Sequence, residues 1–575
     1  MSVLSSNLES SRAADPIEKP KPVLMVWLMA ALAGLSVAWP MLYAALAYGP
    51  KVIILALTGD SYHYLAIARK AQISHIYTYD GVHVTNGFHP LWQYTQRGMF
   101  SLFHLQSHES QAIAVVLLAL AATTIGVILA SAAIVRMTGH AFLGLLVVPG
   151  LYYLAIGVHV RNLWIWSGLD GMESAFSLLF GGLFFFVLSL FIGASARKPF
   201  ELIAAYRALG LVLPLIILSR LDDVFILPAF LVTLLFFETS MSKRITAGLW
   251  IAGPSTVAIL CYMIYNKLTV GSAMPLSGAT KSGFVAFLNA YLTVAVHFPP
   301  LLDLKAMLMK KASEGPVLFA NSFRFVEVFY PFLAAAFGAL AIWKYRRRQA
   351  ESSILFAICI YIIFKDGYNF LMVHPWHQAG WYYVFITLCL SVLGALALET
   401  PWASLDNVPI AKYGIVTIYV LMMLFSASQY YASVVFQVPN ANVPLFWQRH
   451  DALQKELTAE GVTGIVNVDD GITAFLLDFP NMHGFAFATD VEAQRAHKAN
   501  RMLSLAYARG INTVAGFGYM STDTPPRTDA EIRQYLRDSL AWEDMSAEAD
   551  QFDFSLAYYD PVLKWPFIKF KPKAN

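Results

Sequence analysis

The sequence predicts a mostly α-helical fold, a polytopic membrane domain of about eleven spans followed by a small α/β domain. Three observations carry this. Of 575 residues, 57% are hydrophobic and only 13% charged, against about 45–50% and about 25% in soluble globular chains. Apolar runs long enough to cross a bilayer recur between residues 23 and 436. Charge density then rises: residues 437–575 carry 31 Asp, Glu, Lys and Arg, whereas the first 436 carry 46. A water-soluble enzyme of this length is excluded, and so is a disordered chain. A net charge of +3 gives no sign of a nucleic-acid partner. Cys261, Cys359 and Cys389 each lie in an apolar run and read as small core residues, not as a metal or disulfide framework.

The predicted spans are 23–48, 111–135, 141–158, 172–193, 207–219, 224–237, 246–266, 324–343, 353–373, 379–398 and 411–436. Residues 1–22 are polar and read as a cytoplasmic tail. The fifth and sixth spans are short and separated by Arg220, Asp222 and Asp223, so a re-entrant pair is the alternative there. Lys and Arg collect in the predicted inner loops (Arg136; Arg197, Lys198 and Arg207; Lys243 and Arg244; Lys344 and Arg346 to Arg348; Lys412). The short outer loops hold only Arg161 and Arg220, as the positive-inside rule requires. An odd number of spans places 437–575 outside the cytoplasm. Two outer loops, 49–110 and 267–323, are long, and loops of that length are usually functional. Function is therefore sought on the outer face.

The first outer loop opens Gly59-Asp60-Ser61-Tyr62-His63-Tyr64. Asp60 reads as a helix N-cap, as a general base just above the membrane, or as both. The loop continues through Asp80-Gly81 and Asn86-Gly87 turns to His89-Pro90-Leu91-Trp92. A plain turn leading into an aromatic interfacial helix competes here with a sugar site, which needs flat apolar faces and hydroxyl-binding groups. Glu173 enters the fourth span, where it would favour a helix N-terminus. Ser219-Arg220-Leu221-Asp222-Asp223 reads either as a turn with an internal ion pair or as a functional cluster at membrane depth. Gly271 to Lys281 is a small-residue loop with one lysine, able to hold a phosphate or simply to turn. His374 and His377 are spaced for a metal, but Pro375 breaks the helix and no carboxylate is adjacent. Trp381 and Tyr382 suit an interfacial belt.

The order of these segments resembles the GT-C class of membrane glycosyltransferases, and within it the arabinofuranosyltransferase-like branch. The resemblance rests on Asp60 opening the first loop, on Thr85 through Trp92, and on Gly171-Met172-Glu173-Ser174. It rests further on Ser219-Arg220-Leu221-Asp222, on Met274-Pro275 through Lys281, and on Trp381-Tyr382-Tyr383. It spans roughly residues 55–385. Gly59 stands where the family often has a second acid, and a proline after Arg220 is absent.

The resemblance implies a catalytic domain at 23–436 that uses a sugar carried on polyprenyl phosphate, with a pentofuranose such as arabinofuranose as one candidate. It implies a bacterial inner (plasma) membrane location. Asp60 would be the base. Arg220, Lys281, Arg161 and Arg324 would meet the donor phosphate. Tyr62, Tyr64, Asp80, Asn86, His89, Trp92, Glu173, Asp222, His374, His377, Trp381 and Tyr382 would bind sugar or acceptor, a glycan, glycolipid or protein. No metal ligand set is assigned, and a divalent cation stays open as a cofactor. A transporter or flippase for a lipid-linked sugar is the rival reading. It predicts inverted repeats and broken midplane helices; the sequence shows no convincing internal repeat, and its polar residues cluster at one face instead of the midplane.

In the soluble part, Gly464 to Val468 and Gly510 to Gly516 read as strands. Asp490 to Arg509 reads as one helix between them, a small doubly wound sheet. Asp469-Asp470-Gly471 reads as a turn or as a sugar or Ca2+ site. This part would bind the acceptor or cover the site.

Overall fold

The computed structural model describes residues 23–148, 168–192, 202–238, 240–281, 323–345, 349–372, 380–435, 442–467, 471–484, 488–515, 522–539 and 547–574. The first half holds α1 (Val23–Tyr48), α2 (Gly59–Ser74), α3 (Pro90–Leu102), α4 (His108–Thr138), α5 (Ser174–Leu188), α6 (Leu202–Ser219) and α7 (Ile226–Phe237). There follow α8 (Met241–Thr269), the short α9 (Leu276–Lys281), α10 (Phe323–Tyr345), α11 (Gln349–Met372), α12 (Val384–Ser404) and α13 (Pro409–Val435).

Helices thus occupy the expected spans except 141–158. There the described residues form a single 3-10 turn, Phe142–Leu146, and the rest of that run lies outside the described residues. Among the described residues, four runs are long and apolar enough to cross a membrane: Val23–Tyr48, His108–Thr138, Met241–Thr269 and Val384–Asn407. Four shorter apolar helices accompany them, so the count does not reach the expected eleven. The α7 helix, with 12 residues, is about 18 Å long, well under the hydrocarbon thickness of about 30 Å. The outward faces fit lipid: Leu249, Val257, Leu260 and Ile264 of α8 are exposed, as are Ile410 and Tyr413 of α13.

Small residues set the closest helix crossings. A Cβ on Gly182 of α5 would lie 2.1 Å from the Gly126 carbonyl oxygen of α4, so the two backbones touch there. This is the small-residue packing that membrane helices use in place of a hydrophobic driving force.

Beyond α14 (Asn442–Ala459) lies a five-stranded sheet, in the order β2-β1-β3-β5-β4. Its strands are β1 (Ile465–Asn467), β2 (Asn481–His483), β3 (Thr513–Ala515), β4 (Phe552–Asp560) and β5 (Trp565–Pro572). β1 runs parallel to both β2 and β3, while β5 is antiparallel to β3 and to β4. The two expected strands appear as β1 and β3 and pair in parallel; β2 and the closing β4–β5 hairpin go beyond the expectation, and the hairpin adds an antiparallel edge. Helix α15 (Ile472–Leu476) links β1 to β2, and α16 (Val491–Lys498) and α17 (Met502–Ala508) link β2 to β3. The single helix expected over 490–509 is two, because Asn500 adopts φ +53 and a left-handed residue cannot continue a right-handed helix. Helix α18 (Asp529–Ser539) precedes β4.

The sheet region packs on α2 and the segment between α2 and α3. Gly471 N–H donates to the Gly59 carbonyl at 3.4 Å. The Thr85 hydroxyl donates to the Thr489 carbonyl at 2.5 Å, and Trp447 Nε1–H donates to the Tyr62 hydroxyl at 3.0 Å.

Candidate active site

A cavity of about 350 Å³ opens where α2, the loop before α3, the start of α5, the α6–α7 turn, the loop into α9 and the segment before α12 converge. Eight of the expected site residues line it: Asp60, Tyr64, His89, Glu173, Arg220, Asp222, Trp381 and Tyr382. They come from five sequence segments, and folding brings them to one place.

The wall is built on a buried ion cluster. Arg220 Nη1 donates to Glu173 Oε1 at 2.6 Å, and Nε reaches Asp222 Oδ1 at 2.9 Å. Arg220 Nη1 also lies 3.3 Å from the Trp381 carbonyl, and the guanidinium stacks 4.0 Å from the Tyr382 ring centre. The Tyr64 hydroxyl donates to Glu173 Oε2 at 2.9 Å. Burial and the neighbouring Glu173 charge push the Tyr64 phenol well above its ordinary range, so it remains a donor. His89 Nδ1 accepts Leu221 N–H at 3.2 Å, which leaves the proton of a neutral ring on Nε2. That nitrogen faces Glu173 Oε1 at 3.5 Å.

Behind Asp222, the Lys365 ammonium stands 3.5 Å from Oδ2 and pairs with Asp223, which also accepts the Tyr361 hydroxyl at 2.6 Å. Burial opposes a charge on Asp222. The Arg220 and Lys365 charges outweigh it and hold the carboxyl down at about 2.

Asp60 is different. The helix starts at Gly59 with Thr58 as N-cap, so Asp60 lies within the first turn and is not the cap that the sequence allowed. The helix dipole favours a carboxylate there. Among the described residues no hydrogen bond or ion pair engages its side chain, although it is half-buried in the cavity wall. Asp170, in the turn before α5, lies near enough to feel it. Burial, with Glu173 and Asp60 beside it, pushes the Asp170 carboxyl well above the carboxylate range.

The other expected residues fall elsewhere. Trp92 is fully buried, donates Nε1–H to the Gly171 carbonyl at 2.9 Å and meets Phe176 edge to face; it anchors α3 to the start of α5. Asn86 ties its loop to the approach of α9. It donates to the Ser272 and Met274 carbonyls and accepts Leu276 N–H. Tyr62 is buried against Trp447 and Phe475. Asp80 closes its own turn by accepting Val82 N–H and His83 N–H at 2.9 and 2.7 Å.

These four lie outside the cavity lining, because packing and turn closure use their polar atoms. Lys281 ends α9, whose Ser277 and Gly278 do line the cavity. The side chains of Lys281 and Arg324, and all of Arg161, His374 and His377, lie outside the described residues.

Sequence reasoning missed His63, Tyr368 and Ala488 in the wall. For His63 a signal existed: it stands three residues after Asp60, hence on the same helix face. Ala488 carried none, since it comes from the sheet region.

The cavity offers a cation little. Glu173 and Asp222 are both held by Arg220, which leaves Asp60 as the uncommitted carboxylate of the lining. A second group has metal-like spacing: Asp80, His83 and Asp490 present ligand atoms within 4.8 Å of one another. Arg509 already fills that role. It gives Asp490 two bonds of 2.6 and 3.0 Å and stands 3.6 Å from Asp80. The residues therefore do not fit a divalent cation well at either place.

No protein-family model and no curated protein matches the sequence. Among solved structures, the chain is similar to the archaeal oligosaccharyltransferase AglB from Archaeoglobus fulgidus in complex with an inhibitory peptide and a dolichol-phosphate. The identity is 14% over 95% of this chain and 74% of that one, with a TM-score of 0.45. It is similar likewise to the Archaeoglobus fulgidus oligosaccharyltransferase complex with Zn and sulfate, at 14% identity over 94% and 72%, TM-score 0.45. At that likeness neither neighbour bears on substrate or chemistry.

Proposed function

We propose that the chain is an integral-membrane glycosyltransferase moving a monosaccharide from a polyprenyl-phosphate donor to an acceptor hydroxyl at the outer face. One observation carries the reading: Asp60, alone among the lining carboxylates, has no partner among the described residues, and it sits in a walled cavity at the end of a rigid helix. A general base must be able to reach its proton and must not be neutralised beforehand.

In this reading Asp60 takes the acceptor proton as the acceptor oxygen attacks the anomeric carbon, and polyprenyl phosphate leaves. The Glu173–Arg220–Asp222 cluster holds the wall in shape, and Trp381 and Tyr382 present ring faces to the sugar. Lys281, with Arg220, Arg161 and Arg324, meets the donor phosphate. A pentofuranose donor rests on the motif order alone. Residues 437–575 form the extracytoplasmic part that binds the acceptor or covers the site. The membrane is the bacterial inner membrane, with the N-terminus in the cytoplasm.

The test incubates the purified protein with a panel of polyprenyl-phosphate sugars, including an arabinofuranosyl one, and follows release of polyprenyl phosphate. Release from one member that Asp60→Asn abolishes is the expected result. Full activity in that variant overturns the mechanism.

A further inference from the structure

His63 lies one helical turn after Asp60 and lines the same cavity. Its ring is held from the sheet side. Asn467 Nδ2–H donates to the Tyr79 hydroxyl at 2.7 Å, and that hydroxyl lies 2.9 Å from His63 Nδ1. Asn467 is the last residue of β1. His483, the last residue of β2, meets the His63 ring edge to face at 4.7 Å. Gly471, just before α15, presses on the same turn: a Cβ there would lie 2.2 Å from the His63 backbone nitrogen. The carboxyl ends of two parallel strands thus brace one residue of the cavity wall.

The Tyr79 oxygen accepts from Asn467 and, with its own proton turned to the ring, donates to His63 Nδ1. A neutral ring then carries its own proton on Nε2 and acts as a donor. Residues three apart on a helix stand about 5–6 Å apart at Cβ, suited to flank one reacting carbon. Asp60 accepts and His63 donates. The guanidinium in the wall is already paired with two carboxylates, so a neutral N–H donor beside Asp60 adds to the cations assigned to the donor phosphate as negative charge grows on the leaving oxygen.

We propose that His63 is a second catalytic residue, donating Nε2–H to the phosphate oxygen that leaves, with Tyr79 and Asn467 as its positioning residues. This rests on the glycosyl-transfer reading above. The acceptor O–H breaks and its proton passes to Asp60, while the acceptor oxygen bonds to the anomeric carbon. The bond from that carbon to the phosphate oxygen breaks, and its electron pair stays on the phosphate. The His63 hydrogen bond strengthens, and no proton crosses it.

The experiment uses the full chain with the polyprenyl-phosphate sugar turned over in the panel. His63→Ala lowers kcat about 100-fold, the scale of one lost oxyanion donor, with acceptor KM unchanged. His63→Gln, which keeps an N–H, recovers part of the loss. Tyr79→Phe and Asn467→Ala fall between the two and remain informative if His63→Ala does not fold. The pH profile of kcat keeps its shape in His63→Gln, since no proton passes through the ring. If Asp60→Asn is inactive while His63→Ala and Tyr79→Phe stay within twofold of the parent, the glycosyl-transfer reading stands and this proposal is overturned. A raised acceptor KM with unchanged kcat in His63→Ala overturns it too.

Discussion

Two arginines in this protein, Arg220 and Arg509, each stand among carboxylates, and the clusters do different work. Arg220 joins Glu173 and Asp222 in a cavity wall. Arg509 joins Asp490 and Glu492 and approaches Asp80, where the segment between α2 and α3 meets the sheet region. In the second cluster the acids also serve the backbone. Asp490 caps α16 by accepting from Glu492 N–H and Ala493 N–H, and Asp80 closes a turn. In the first, side chains hold Glu173: Tyr64, Arg220 and His89. The same residue types make a seam where the backbone uses their oxygens. They make a candidate site where a cavity and an uncommitted carboxylate adjoin them.

The comparison breaks most directly at Asp60 and Asp80. Asp60→Asn lowers polyprenyl phosphate release about 1,000-fold, whereas Asp80→Asn, in the seam, leaves the rate of the folded protein within about threefold. Equal losses would erase the distinction. The next effect is on stability. Arg220→Ala leaves Glu173 buried without its counter-ion and costs about 3–5 kcal/mol, read from denaturant unfolding in detergent. Adding Glu173→Gln restores part of it, and a strictly additive double variant would show that the pair is not coupled.

Arg509→Ala costs less, about 1.5–3 kcal/mol for the lost charged hydrogen bonds, and transfer by the folded protein persists. Trp92→Phe removes one hydrogen bond and leaves a space in the core, about 2 kcal/mol in all. Its acceptor KM should not move, and a rise would return Trp92 to the sugar-binding set.

The last effect is in pH. With its carboxyl held at about 2, Asp222 binds a proton less readily folded than unfolded. Its contribution is present above the ordinary carboxylate range and is lost as pH falls from about 4 to about 2. Asp490 is lowered in the same direction, through Arg509 against the opposing effect of burial. Melting temperatures followed through that window should therefore drop in the parent and drop less in Asp222→Asn.

Much of the helical architecture is legible in the sequence, because a helix that buries or exposes apolar residues all round announces itself by composition. The site is legible in part. Asp60, Glu173 and Arg220 stand out because charge is scarce, so each charged residue at membrane depth asks for an explanation. An aromatic or amide in a loop reads alike whether it faces a ligand or ties two segments together, and in the structure Trp92 and Asn86 tie segments together outside the cavity lining. His63 was passed over because its partners are Tyr79 and, through it, Asn467, which lies 404 positions further along the chain.

The amino-acid sequence by itself determined that this is a membrane protein of apolar helices with a more charged C-terminal region, for those properties follow from local composition and period. Which carboxylate stays unpaired was decided only by the tertiary structure. Pairing depends on distances between residues as far apart as Tyr64, Glu173 and Arg220, and no local property of the chain encodes them.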